Sequence, residues 1–444
     1  MENIAEKIAV LVKENGGRTF YVGGFVRDRV MGTEGKDVDI EVHGITPEKL
    51  RGILASAGTP LSKGESFGVY GLSGYDIDIA MPRSEHATGR GHKDFEIFVD
   101  PFIGTEKAAK RRDFTMNALM QDVLTGELID HFGGISDIEN RVIRHIDDES
   151  FVEDPLRVFR ASQFSARLGF EINQSTIDLC SRIDVSTLSR ERVEEEMKKA
   201  LLKGENPSEF FVGLRKMNQL GPWFPEMEKL IGLEQDPVFH PEGDVWTHTL
   251  EVLDRAAGFR DEVSNPYAFM ILSMVHDFGK IITTEEKDGR IHAYGHETLG
   301  LPIIEEFLQR VVSEKEVKAY VRKMVPLHMK PNVCAFSKPK IKSTNRMFDE
   351  AADPKDLIYF AMADKPVMSG DTPFSGDIDF LFERYEIYKD MMARPYVTGQ
   401  DLIDSGLSPG EGFSEILDYA HKLRLAGTDK ENALKQCLAY ARKR

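Results

Sequence analysis

Cysteine is scarce in this chain: Cys180, Cys334 and Cys437 are the only three in 444 residues, far apart and without a CxxC spacing. That excludes a disulfide framework and a cysteine-zinc site, and leaves free thiols. Long apolar runs are missing too; none approaches the roughly 18 consecutive residues that span a bilayer, so no membrane segment is expected. The opening stretch "MENIAEKIAVLVKENGG" lacks a signal-peptide core and reads as a first amphipathic helix, which points to the cytoplasm. No internal repeat or low-complexity segment is present, and no P-loop, because the Walker lysine and its spacing are absent. Positive charge is also in deficit. A balance of −17 argues against a broad nucleic-acid surface, since phosphate binding is dominated by lysine and arginine. Basic residues still cluster in "KAAKRRD" (Lys107 to Asp113), "SKPKIKSTNR" (Ser337 to Arg346) and the terminal "ARKR". Such clusters read either as solvated faces or as a local basic track.

What is present is an ordinary soluble composition, 41% hydrophobic and 30% charged. A prior of roughly 150 residues per domain suggests about three domains. The first 130 or so residues alternate β-rich runs ("TFYVGG", "KDVDIEV", "SFGVYGL", "YDIDIAM", "FEIFVD", "GELIDHF") with helical segments, an α+β block built around a sheet. From "SDIENRVIR" onward helical periodicity dominates. The proline- and glycine-bearing "EQDPVFHPEGDVW" (Glu234 to Trp246) looks like a boundary, and a further shift falls near "ARPYVTGQDL".

Within "GGFVRDRVMGTEGKDVDIEV" (Gly23 to Val42), Asp37 and Asp39 stand two apart in a strand-like run. Alternation puts both carboxylates on one face, where hard oxygens suit Mg²⁺ and substrate phosphates. Gly23 and Gly24 follow an apolar strand and open a short helix carrying Arg27 and Asp28, so that backbone amides can approach a triphosphate. Taken alone, the stretch also reads as a glycine turn followed by an exposed strand edge. A second acidic strand, "YDIDIAMPR", carries Asp76 and Asp78; if it lies beside the first, Asp78 becomes a third acid near the metals. In "AAKRRDFTMNALM", read as a helix, Asp113 and Asn117 face the same way with Arg112 adjacent, a set able to bind a ribose hydroxyl and a triphosphate or simply to form a polar helix face. "FVEDPLR" places Asp154 before Pro155, an N-cap arrangement, with Arg157 three residues on. An accepting carboxylate beside a donating guanidinium fits the Watson–Crick edges of C and A and rejects G and U.

In order and spacing, "GGFVRDRVMGTEGKDVDIEV", "RRDFTMNAL", "DHFGGISDIENRVIRHI" and "EDPLR" closely resemble the successive motifs of class II tRNA nucleotidyltransferases, the CCA-adding enzymes and their poly(A) polymerase relatives. The match covers about the first 200 residues. The resemblance implies a polymerase-β-like head with a mixed sheet, in which Asp37 and Asp39 are catalytic and hold Mg²⁺. Gly23, Gly24, Arg27, Arg112, Asp113, Asn117 and Arg160 would bind nucleotide. Glu153, Asp154 and Arg157 would be the protein template, with Glu153 orienting the other two. Arg190 and Glu194, in "SRERVEEEMKKALL", would be structural, and Asp130, Gly134, Asp137 and Arg144 would belong to a head-to-neck hinge. "MPRSEHATGRGHKDF" (Met81 to Phe95) resembles the flexible loop that full CCA-adding enzymes use to switch from C to A addition. The implied partners are tRNA, CTP and ATP. An A-adding-only enzyme and a poly(A) polymerase are the alternatives within the family; the acidic balance favours tRNA, because poly(A) polymerases usually carry long basic extensions.

A second set of residues, His248, His276 with Asp277, His296, His328 and Asp364, is spread along the helical region. An aspartate ending the apolar run "FMILSMVHD" is costly to bury unpaired, and a metal would satisfy it. The order resembles the HD phosphohydrolase superfamily, whose helical domain is fused to some bacterial CCA-adding enzymes. By that resemblance His248, His276, Asp277 and Asp364 hold one divalent metal, His296 and His328 a second, and members of this type hydrolyse 2′,3′-cyclic phosphates and 2′-nucleotides. Histidine with carboxylate suits Mn²⁺, Fe²⁺ or Ni²⁺ better than Mg²⁺. The competing reading is a phosphohydrolase whose head only binds RNA. The expected division is a head at 1–135, a helical neck and body at 136–235, an HD domain at 236–370 and a helical tail at 371–444. The tail resembles the segment of CCA-adding enzymes that contacts the tRNA elbow.

Overall fold

A computed structural model describes residues 2–33, 38–64, 68–87, 95–365, 378–410 and 412–442. They form two compact units, Met1–Glu196 with Glu209–Gln219, and Met197–Ser208 with Leu220–Arg444. The first holds the sheet. Its strands begin with β1 (Arg18–Val22), β2 (Val38–His43), β3 (Pro60–Gly64), β4 (Val69–Leu72) and β5 (Tyr75–Ala80). After a separate antiparallel ribbon of β6 (Arg83–Ala87) and β7 (Phe95–Val99), β8 (Met120–Asp122) and β9 (Leu128–Ile129) complete it. The spatial order is β3-β4-β5-β2-β1-β8-β9. Among the described strands of this sheet only β2 and β5 pair in parallel; the rest is antiparallel, giving the mixed sheet expected.

Strand β2 shows why the sheet forms. Val38, Ile40 and Val42 alternate into the core, leaving Asp39, Glu41 and His43 on the other face. The amphipathic helix Glu2–Glu14 packs Ile4, Ile8 and Val12 inward, against β1 and the helix Pro47–Ala57, whose buried side is Leu50, Ile53 and Leu54. Strand β8 begins at Met120, the last residue of the run "AAKRRDFTMNALM" that the sequence suggests to be helical. The correction has a local cause: the helix Thr105–Lys110 ends early, Phe114 adopts an extended conformation and bridges to His145, and only a 3-10 turn, Thr115–Asn117, precedes β8. Beyond Asp130 the first unit is helical apart from a two-residue parallel ladder of β10 (Val142–Ile143) and β11 (Glu171–Ile172).

Among the described residues the second unit is helical, with one small hairpin of β12 (Glu285–Lys287) and β13 (Arg290–His292). Its centre is the helix Pro266–Val275, buried from Tyr267 to Val275 and packed against the helices Val245–Ala257 and Pro354–Asp364. Each of the three starts on a side-chain cap, Asn265, Asp244 or Asp353, and two have proline in the first turn. No described helix is long and apolar enough to cross a membrane.

Candidate active sites in the two units

In the first unit, β5 lies beside β2 and sets Asp78 in register with Asp39. Paired residues of neighbouring strands point to the same side of the sheet, so the two carboxylates share a face, as the sequence suggested they could. Asp37 lies outside the described residues, as do residues 88–94 of the Met81 to Phe95 segment, of which Arg83–Ala87 forms β6 and Phe95 opens β7. Gly23, which ends the turn after β1, has φ 68°, and a Cβ there would lie 3.2 Å from Arg112 Nη1 and 3.9 Å from Asp39 Oδ2. Glycine thus permits both the positive φ of the turn and the close approach of Arg112.

Behind this edge runs a buried hydrogen-bond chain. Arg27 Nη1 donates to Asn117 Oδ1 (2.8 Å), Asn117 Nδ2 donates to Asp113 Oδ1 (2.9 Å), and Arg160 Nε donates to Asp113 Oδ2 (2.7 Å). Arg27 also grips Asp28 through Nε and Nη2. The expected proximity of Asp113 and Asn117 is real, although a 3-10 turn and not an α-helix produces it. Burial alone would raise the Asp113 carboxyl; Arg160, Asn117 and the Phe114 N–H outweigh it and hold the group below its usual range. Glu41, which the sequence reading passed over, is 1% exposed two residues beyond Asp39. It meets His43 Nε2 at 2.9 Å and the Arg112 and Arg111 guanidinia at 3.4 and 3.6 Å. Burial again opposes ionisation, but His43 and the two arginines hold Glu41 at about 2. The signal for it was present in "DVDIE", a third acid at strand spacing.

Asp154 and Arg157 do not pair with each other here. Arg192 Nη2 donates to both Asp154 oxygens at 3.0 Å, and Asp154 Oδ1 also caps the Leu156 N–H. Arg157 donates instead to the backbone carbonyls of Ser150 (2.6 Å) and Arg111 (2.7 Å). Glu153 is exposed. The physical reason is reach: a carboxylate occupied in helix capping is open to a guanidinium from a neighbouring helix, while Arg157 finds carbonyls left outside the helical ladder. Arg190 pairs with its neighbour Glu191, and Glu194 is buried. Asp130 accepts from the Phe132, Gly134 and Ile135 N–H groups, capping the helix Gly134–Glu139, and Asp137 accepts from Thr115 Oγ1 (2.6 Å) and Arg144 Nε (3.1 Å).

In the second unit six widely separated side chains converge. His276 and Asp277 follow the central helix, His248 comes from the first turn of Val245–Ala257, and Asp364 ends Pro354–Asp364. His248 Nε2 lies 3.1 Å from Asp364 Oδ1 and 3.4 Å from His276 Nε2. On the other side of Asp277, His296 Nε2 lies 3.1 Å from His328 Nε2 and 3.2 Å from Asp277 Oδ1. The grouping is thus His248, His276 and Asp364 on one side, with Asp277, His296 and His328 on the other. Asp277 reaches both, its Oδ2 lying 3.4 Å from His276 Nε2.

The opposite ring nitrogens explain the orientation. Nδ1 of His276, His296 and His328 donates to the carbonyls of Ser273, Ala293 and Val325 at 2.7–2.9 Å, and His248 Nδ1 donates to Glu242 Oε1 at 2.7 Å. A carbonyl can only accept, so in the neutral rings Nε2 is a bare lone pair. Two such lone pairs facing each other amid buried carboxylates fit a divalent cation between them. Burial opposes it, yet Asp277 and Asp364 raise His276 to about 10, so positive charge is favoured at this point. Lys280 Nζ, 2.7 Å from Asp277 Oδ2 and 2.6 Å from Gln235 Oε1, was not singled out in the sequence, nor was Glu242. His240 shares Glu242 with His248 through Nδ1, which makes that trio a hydrogen-bonded support and not a further metal site. A Cβ on Gly279 would stand 2.0 Å from the His296 carbonyl oxygen, so the turn after Asp277 touches the His296 backbone only because glycine occupies it.

The model of the poly A polymerase head domain matches residues 19–144. A multifunctional CCA protein of Actinobacillus pleuropneumoniae serotype 5b is 35% identical over 328 residues, covering 72% of this chain and 77% of that one. One from Vibrio parahaemolyticus is 34% identical over 372 residues, covering 80% and 88%. Among solved structures, a Thermotoga maritima CCA-adding enzyme complexed with tRNA aligns over 99% of this chain and 95% of its own, with a TM-score of 0.64 and 21% identity. A complex of CCA-adding enzyme with ATP aligns over the same shares with a TM-score of 0.67 and 21% identity. At those identities the structural likeness is one of fold.

Proposed function

The chain belongs to the family of multifunctional CCA proteins, and on that premise we propose that it adds or repairs the 3′-terminal CCA of tRNA from CTP and ATP without a nucleic-acid template. The observation that carries this reading is the register setting Asp39 beside Asp78 at the Gly23 turn, with Arg112 at hand. Carboxylate oxygens so grouped fit Mg²⁺, which Asp37 and Asp39 would hold with Asp78 as a third acid. When bound, it would lower the pKa of the attacking tRNA 3′-hydroxyl and neutralise the departing pyrophosphate. The rest falls to the chain. Arg112, fixed by Glu41, meets the triphosphate; Asp113 and Asn117, clamped between Arg27 and Arg160, present the polar edge for the ribose. Asp154 and Arg157 select the base, and pairing with C or A exchanges their bonds to Arg192 and to the Ser150 and Arg111 carbonyls.

The second unit carries the proposed HD phosphohydrolase site. Its convergent Nε2 atoms fit Mn²⁺, Fe²⁺ or Ni²⁺, held by His248, His276, Asp277 and Asp364, with His296 and His328 completing a second position around Asp277. A bound divalent metal would activate the water that attacks a phosphoester. The water oxygen bonds to phosphorus, the ester P–O bond breaks, and the proton ends on the departing ribose oxygen. Lys280 supplies fixed positive charge beside Asp277.

The test is incorporation of labelled CTP and ATP, given separately and together, into tRNA lacking its 3′ end. Both nucleotides should be added in the order C, C, A, and Asp39→Ala should abolish it. Addition of A alone identifies an A-adding enzyme; incorporation of neither refutes the reading.

A further inference from the structure

Beside the histidine cluster the second unit opens a cavity of about 310 Å³, near the lower end of small-molecule sites. Its wall includes His296 of the histidine cluster and Lys280, which pairs with Asp277, together with the apolar Phe239 and Met329 and the rings of His292 and Tyr294. The last two stack at 4.8 Å between centroids and 13° between planes, so Tyr294 is braced on the end of the β12–β13 hairpin. Yet Tyr294 is 69% exposed, and Phe239 and Met329 are each more than 40% exposed. A flat, pre-positioned aromatic face left to solvent beside a phosphoester site is idle if the substrate is a bare phosphate or a small alkyl ester. It is suited to a planar ring carried on the phosphoester, since Tyr294 lines the same cavity as Lys280 and His296.

We propose that this cavity is the base-binding half of the phosphohydrolase site. With the nucleoside 2′,3′-cyclic phosphates and 2′-phosphates that the HD resemblance already implies as substrates, the new element is the base site: the base stacks on Tyr294 while the phosphate is directed toward Lys280 and His296. The inference rests on the HD reading and adds to it the feature that distinguishes a nucleotide from other phosphoesters. Tyr294 is a specificity residue: it contributes to holding the substrate and not to breaking the bond, so its removal should appear in KM and leave kcat nearly unchanged.

The experiment compares the full chain, loaded with Mn²⁺, with its Tyr294→Ala and Tyr294→Phe variants on 2′,3′-cyclic AMP and on the base-free methyl riboside 2,3-cyclic phosphate. Binding of adenosine 2′-monophosphate is measured in parallel by calorimetry. Loss of a stacking partner should raise KM for cyclic AMP, and Kd for the monophosphate, roughly tenfold in Tyr294→Ala. Turnover of the base-free ester should not change, and Tyr294→Phe should behave as the unmodified chain. An equal loss on both esters, or no loss on either, overturns the proposal. If neither ester is hydrolysed but the monophosphate binds in a Tyr294-dependent way, the base site stands and the hydrolytic reading falls. If its affinity is the same with and without Tyr294, the base site falls whatever hydrolysis shows.

Discussion

Asp113 is 8% exposed and its carboxylate receives donors on both oxygens, from Asn117 and the Phe114 N–H on one and from Arg160 on the other. Replacing Arg160 by methionine leaves that buried charge with two neutral donors, a cost on the order of 3 kcal/mol by comparison with other broken buried pairs. Urea unfolding at neutral pH should register it. The pH dependence has a definite sign. Because the folded carboxyl lies below its unfolded value, the pair stabilises the protein fully above the unfolded value of about 4, and that contribution is lost as pH falls through the lower folded value. Unmodified protein should therefore lose stability on acidification below pH 4 more steeply than Arg160→Met. A four-residue spacing was enough to bring Asp113 and Asn117 together on paper. Arg160 could not be connected to them from spacing, because 47 residues separate it from Asp113 and only the tertiary fold brings it there.

At the scale of elements, periodicity revealed the helices of the second unit and most strands of the first, including the neighbouring acidic strands β2 and β5. What it missed were short pieces whose state is decided by partners. Strand β8 has three residues and exists because β1 and β9 flank it. The run leading into it, "AAKRRDFTMNALM", matches a helical pattern that is broken where Phe114 is drawn to His145. The turn after the central helix of the second unit shows the same principle for packing. Nothing in "HDFGK" announces that Gly279 abuts the His296 carbonyl. Gly279→Ala must push the turn and the His296 segment apart, so it should weaken Mn²⁺ binding and phosphodiester hydrolysis at least tenfold, on the order of the 1–3 kcal/mol of an overpacked contact. Nucleotide addition by the same variant serves as the control and should stay near that of the unmodified chain.

Across the whole molecule, the two proposed chemistries reside in separate compact units, with the acids at β2 in one and the histidine cluster in the other. Asp277→Ala should abolish hydrolysis of 2′,3′-cyclic AMP and leave CCA addition largely intact. Asp277→Asn, which keeps the shape but removes the charge, guards against misreading a folding defect; loss of both activities in Asp277→Asn would count against separable sites. Net charge was a poor guide at this scale. In "KAAKRRD" Lys107 and Lys110 are exposed, but Arg111 and Arg112 both turn onto the buried Glu41, so a sum over the chain obscures an arginine pair set at the acidic strand. The division into units carries one more consequence, for dissection. The chain passes between them at Glu196, at Ser208 and at Gln219, so no single cut yields two whole parts. A fragment ending at Glu196 would lack Phe210, whose ring packs on Phe159, and the Gln219 amide that binds the Cys180 and Ile183 carbonyls. The first unit is therefore not a detachable head: it borrows its last eleven residues, Glu209–Gln219, from beyond the point where its partner has already begun.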